Sequence, residues 1–249
     1  MPYISHEAIV KAKRIASLWA KHLLAGRYGE WCILDTETTG LNRPEVIDIC
    51  ILSKYRSSFI NTHLRPLTPI EQGATYIHGL TNESLKDAPS FTDVRDRIEA
   101  IVKDKIVIIY NADFDTRALF HTAIIHNAPR ITFKSKCAML KYAEYCGEWN
   151  NYWGNFKWQK LPSANHTAYG DCLAVYDLLE EMAAYADAPE EKELLKPRLF
   201  PPVQIACSWL PKYNIRIEKV YPTRWNTKLT SFEIKIPQFH LITDKDMEE

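Results

Sequence analysis

Two carboxylates stand two residues apart in Leu34-Asp35-Thr36-Glu37-Thr38-Thr39-Gly40, where an apolar run ends in acids. Alternation along a strand puts Asp35 and Glu37 on one side, where both can hold hard cations. Burying two acids there costs free energy unless a cation or partner compensates. A lone pair of this kind is common among solvated acids, so its meaning depends on what else reaches the same place. The segment Tyr110-Asn111-Ala112-Asp113-Phe114-Asp115 follows a β-branched run and opens a helix. Ligands of open α/β sheets bind outside the carboxyl ends of the strands, so Asp115 would face the same crevice. Asn111 and Asp113 suit helix capping, which leaves Asp115 without a structural role. A third group, His166-Thr167-Ala168-Tyr169-Gly170-Asp171, leads into the last long helix. On an ideal helix His166 and Asp171 would lie about 140° apart. His166 therefore belongs to the loop or the first turn, free to swing over the site, and Asp171 to the inward face.

The elements that must position these groups follow from periodicity. Apolar residues at helical spacing (Ile4, Ala8, Ile9, Ala12, Ile15, Trp19, Leu23) predict a helix over 5–25, with Ser5 as N-cap and Gly26 as stop. Strands are expected at 31–36, 45–55, 58–64 and 105–110, and a short one at 131–136. Helices are expected near 69–78, 90–103, 114–127, 137–145 and 166–185, and an irregular segment at 150–158. Three strands followed by alternating helix and strand indicate a mixed sheet with helices on both faces. Four prolines at 189, 197, 201 and 202 mark a linker, and 213–221 and 231–242 read as strands of a small β appendage. The expected organisation is an N-terminal helix (1–28), a catalytic domain (29–187), and a linker with the appendage (188–249).

The 249 residues carry 31 Lys+Arg and 31 Asp+Glu, so total charge gives no sign of a polyanionic partner. The ends differ from the whole. Residues 1–28 hold five basic residues against one acid, and 201–243 hold six against two. Either solvated faces, a dimer interface or a track for phosphate would account for them. Six cysteines show no C-x-x-C spacing, which argues against a zinc knuckle and for buried thiols in the cytoplasm. No apolar run approaches the ~20 residues that span a bilayer.

Taken in order, D-x-E-T-T-G (35–40), N-x-x-F-D (111–115) and H-x-A-x-x-D (166–171) resemble the three motifs of the DnaQ-like (DEDDh) 3′→5′ exonucleases, a branch of the ribonuclease H-like superfamily. The resemblance covers roughly 30–185, and Ile77-His78-Gly79-Leu80-Thr81 adds to it. It implies an α/β fold with a mixed five-stranded sheet. It also implies that Asp35, Glu37, Asp115 and Asp171 bind two Mg²⁺ or Mn²⁺ ions and that His166 is the general base. Thr38, Leu41 and His78 would lie against the terminal nucleotide, and Phe114 near its base. Tyr110 stands where a histidine is frequent, Asp113 is an additional acid, and Cys172 replaces a small residue.

The substrate implied is single-stranded DNA or a 3′ overhang. RNA ends are the rival substrate, and an inactive module that binds nucleic acid or protein is the rival class. Trp149, Tyr152, Trp153, Phe156 and Trp158 precede the third motif, as either packing residues or a stacking surface for unpaired bases.

Overall fold

The computed structural model describes residues 4–187. The strands expected at 213–221 and 231–242, with the proline-rich 188–202, lie outside the described residues. Five strands form one sheet in the order β3-β2-β1-β4-β5. They are β1 (Trp31–Thr38), β2 (Val46–Ser53), β3 (Ser58–His63), β4 (Ile106–Ile109) and β5 (Lys134–Cys137). The first three form an antiparallel meander, whereas β4 and β5 run parallel to β1. The sheet is mixed, as expected, and β1 lies at its centre.

Alternation along β1 and β2 sorts side chains to two cores. On one side, Trp31, Ile33, Cys50, Leu52 and Ile108 pack with α1 (His6–Leu24) and α6 (Ala168–Tyr185). On the other, Cys32, Leu34, Ile49, Ile51 and Val107 pack with α3 (Phe91–Val102) and α4 (Ala112–Ile125). Every residue of β2 is buried, including Asp48. The short α2 (Gln72–His78) and α5 (Ala138–Cys146) complete the helices. No described helix is long and apolar enough to cross a membrane.

The N-terminal helix is built as its sequence indicates. Ser5 accepts a hydrogen bond from the amide of Ala8 (3.2 Å), Glu7 lies in the first turn, and Lys21 and His22 lie in the last, each sign matching the helix dipole. Ala16, Ala20 and Leu23 share a buried cluster with Val175, Leu179 and Met182 of α6, so α1 is part of the main core. Its charge is partly engaged within the fold: Lys13 lies over the rings of Tyr145 and Tyr185, and Lys21 pairs with Asp187.

Three elements differ from expectation. The fifth strand is Lys134–Cys137 rather than 131–136, an exposed edge whose place is set by parallel pairing with β4 rather than by apolar residues. Residues 149–156 form a hairpin of β6 (Trp149–Asn150) and β7 (Asn155–Phe156), not an irregular segment. Finally, α6 begins at Ala168, which leaves His166 outside it.

Truncating Leu23 to alanine removes a fully buried side chain from the α1–α6 contact. The variant should lose about 2–5 kcal/mol of unfolding free energy in urea. A loss within ~0.5 kcal/mol, the range of ordinary surface changes, would show α1 to be peripheral.

Candidate active site

The acids converge from three elements at the carboxyl end of β1. Asp35 and Glu37 point to the α6 side of the sheet and are half-buried, opposite Cys50 and Asp48 of β2. Asp171, in the first turn of α6, is buried at 8% exposure and meets them from above that face. Asp115, in the first turn of α4, arrives from the opposite side. It is 4% exposed, and the hydroxyl of Thr36 donates to its Oδ1 at 2.8 Å. Thr36 points away from Asp35 and Glu37 by the alternation of the strand, so one three-residue stretch serves both sides of the sheet.

Like charges in a poorly solvated place oppose ionisation. Burial, then Asp115, Asp171 and Glu37, push Asp35 well above the usual carboxylate range. Glu37 is pushed up to about 8 by burial and then by Asp171, Asp48 and Asp115. Burial raises Asp115 to about 7 against the opposing hydrogen bond from Thr36. The charges that act most strongly on Asp35 and Glu37 are acidic, so the protein itself supplies little compensation.

His166 is exposed and adopts a left-handed backbone (φ 58°) just before the helix cap, a conformation that costs a non-glycine residue about 1–3 kcal/mol. Thr167 caps α6, its hydroxyl accepting from the amide of Gly170 at 3.1 Å. The carboxylate of Asp171 accepts from the amides of Asn165 (2.8 Å) and His166 (3.3 Å), which fixes the loop above it. Glu37, His166 and Asp171 each offer a ligand atom within 4.8 Å of the others. A methyl group at Gly170 would lie 2.1 Å from the side-chain oxygen of Asn165, which would have to move and give up its hydrogen bond from the amide of Thr167 (3.2 Å).

The remaining expected residues surround this cluster in different ways. Thr38 is buried and donates to the carbonyl of Gly40 at 2.9 Å, so its hydroxyl holds the turn after β1. Leu41, in that turn, is 78% exposed. His78 accepts from the amide of Leu80 at Nδ1 (3.0 Å), which leaves Nε2–H to donate to the Thr38 carbonyl (3.2 Å). Burial lowers its pKa, so the neutral ring docks the end of α2 on the end of β1. Phe114 precedes Asp115 on α4, with the guanidinium of Arg117 5.6 Å from its ring centroid. Asn111 makes no side-chain cap, and Asp113 is exposed.

Sequence reasoning passed over Thr36, Asn165 and Asp48. Asp48 is 4% exposed, accepts from the amide of Ala168 at 3.1 Å and stands 3.8 Å from His63. It ties β2 to the start of α6. An acid inside the apolar run Val-Ile-Asp-Ile-Cys-Ile-Leu was the available signal, because such a group is buried only with a purpose. Also missed was Glu45, fully buried against His126 (2.7 Å) and bound by the amides of Leu67 and Thr68 (2.8 Å each). Its backbone exchanges hydrogen bonds with Thr39, so it secures the turn that carries Leu41.

The RNase T exonuclease family matches residues 32–179, a stretch that holds every one of these acids and His166. The chain belongs to the DnaQ-like exonuclease family. An uncharacterized exonuclease of Escherichia phage 186, CP81, is 34% identical over 168 residues, spanning 60% of this chain and 86% of that protein. The DNA polymerase III subunit epsilon of Buchnera aphidicola is 36% identical over 123 residues, 43% of this chain and 50% of the relative, so the chain spans half of that protein's length. Exonuclease X, solved with 5′ overhanging duplex DNA, is 23% identical, with 65% of this chain and 95% of that chain covered and a TM-score of 0.46. Members of this DEDDh family are hydrolytic 3′→5′ exonucleases that use divalent metal ions.

The raised carboxyls fix the sign of a pH dependence. Because the folded chain holds these protons more tightly than the unfolded chain, stability without divalent ions is greatest below the unfolded values. It falls as pH rises from about 4 towards 8, the window set by Glu37 and Asp115. Thermal melting in chelator should show this decline, and Glu37→Gln should flatten its upper part. A melting temperature that rises through the same window would contradict the crowding.

Proposed function

We propose that this chain shortens single-stranded DNA or 3′ overhangs from the 3′ end, with Asp35, Glu37, Asp115 and Asp171 holding two Mg²⁺ or Mn²⁺ ions and His166 as general base. The observation that carries this reading is four carboxylates converging at the end of β1, where burial and acidic neighbours raise Asp35 and Glu37, beside an exposed histidine. Oxygen donors suit these hard cations, which fits a set composed of carboxylates. Bound there, the ions would activate water and offset charge on the departing 3′-oxygen. His166 lies outside its helix and its ring has no hydrogen-bond partner among the described residues, so it is free to take the proton from the attacking water. Attack on the last phosphodiester then breaks the bond to the 3′-oxygen and releases a nucleoside 5′-monophosphate. Thr38, Leu41 and His78 would lie against the terminal nucleotide, with Phe114 near its base. The relatives named as DNA polymerase III subunits favour DNA over RNA as substrate.

With Mg²⁺ and 5′-labelled single strands of DNA and RNA, the protein should yield a ladder shortening from the 3′ end, faster on DNA. Asp35→Ala should yield none while melting as a folded protein. Faster loss of RNA would reassign the substrate, and intact strands with both Mg²⁺ and Mn²⁺ would overturn the reading. His166→Ala should lower kcat by roughly 10²–10⁴-fold with Mn²⁺ affinity retained. Loss of rate only in step with loss of melting temperature would make the histidine structural.

A further inference from the structure

The hairpin β6–β7 separates its aromatic residues into two groups. Trp149 and Phe156 face each other across the two strands, edge to face at 5.2 Å, and close the hairpin. Asn150 fixes the turn: its side-chain oxygen accepts from the amides of Tyr152 (2.9 Å) and Trp153 (3.3 Å), and its carbonyl from Gly154 (2.9 Å). Gly154 takes the left-handed conformation the turn needs (φ 67°). A turn held this way presents Tyr152 and Trp153 to solvent at 81% and 72% exposure, and Trp158 just beyond β7 at 66%.

We propose that Tyr152, Trp153 and Trp158 form a stacking platform for unpaired bases of the substrate strand, upstream of the nucleotide being removed. This rests on the exonuclease reading above. Two observations select nucleic acid as the occupant. The first is charge: Lys157 and Lys160 flank Trp158; Lys157 lies 3.9 Å from Glu148, whereas Lys160 has no acidic partner among the described residues. Exposed Lys136, on the edge strand β5, has none among the described residues either. Aromatic faces interleaved with cations match a strand whose bases and phosphates alternate. The second is location. The hydroxyl of Tyr110 donates to the carbonyl of Gln159 at 2.8 Å, while the carbonyl of Tyr110 accepts from the amide of Met139 at 2.9 Å and the thiol of Cys137 at 3.2 Å. The base of the hairpin and the residue after Lys136 are thus both anchored to Tyr110, which lies between β4 and the segment that presents Asp115. Tyr110 also gains a role here that a histidine of lesser reach would not fill.

Binding separates this proposal from the catalytic one. In full-length Asp35→Ala protein, anisotropy of labelled single-stranded DNA reads affinity without cleavage. Adding Tyr152→Ala, Trp153→Ala and Trp158→Ala together should weaken binding of a long strand by roughly tenfold or more. The conservative change Trp153→Phe should retain it. An abasic strand of equal length and charge should bind the two proteins alike. With Asp35 restored, cleavage of a dinucleotide should survive the triple change while KM on the long strand rises. Unchanged affinity for the long strand, an equal loss on the abasic strand, or a change in sedimentation from dimer to monomer would overturn the platform. A parent protein that binds strands but cleaves none would fail the catalytic reading and leave the stacking result to stand on binding.

Discussion

Repulsion among carboxylates at the end of β1 is the constraint to which the surrounding structure answers. Asp35, Glu37, Asp115 and Asp171 are drawn together there, and Asp115 and Asp171 raise the cost of ionising Asp35 and Glu37. A group of this kind persists only where the rest of the fold holds it in place. Here that restraint comes from the two cores on either face of the sheet, which fix β1, α4 and α6 relative to one another.

The acids are held by neighbours with no chemical task of their own. Thr36 orients Asp115 from beneath, Asp48 ties the start of α6 to β2, and Asn165 with Gly170 shapes the loop in which His166 sits. Glu45 and His126 perform the same service for the turn after β1, a buried pair whose carboxylate is further bound by backbone amides. These contacts set orientation by hydrogen-bonding polar groups that are out of water. His166 stands apart from them: its backbone is strained and its side chain exposed, which suits a group that must reach a reacting atom.

Much of this was legible in the sequence because the acids occur at strand ends and helix starts, where spacing alone decides direction. Asp35 and Glu37 share a side because a strand repeats every two residues, and His166 and Asp171 cannot share a helix face because five residues overshoot it. The succession of strands along the chain and the mixed sheet follow from apolar runs, whereas their order within the sheet comes from the structure. What was missed depends on long-range pairing. No local pattern shows that Thr36 meets Asp115, 79 residues away, or that Asp48 receives the amide of Ala168, 120 residues away. The fifth strand was misplaced because Lys134–Cys137 carries no apolar signature and takes its position from β4. Periodicity assigns 150–158 no regular structure because the hairpin strands there are two residues each, too short to register.

If crowded carboxylates exist to receive cations, then binding a cation must displace the protons that crowding retains. Calorimetric titration of Mn²⁺ into the protein at neutral pH, repeated in buffers of different ionisation enthalpy, reads that displacement directly. The account predicts binding of two ions with net proton release, both diminished in Glu37→Gln. Binding without proton release, or no binding at all, would contradict it.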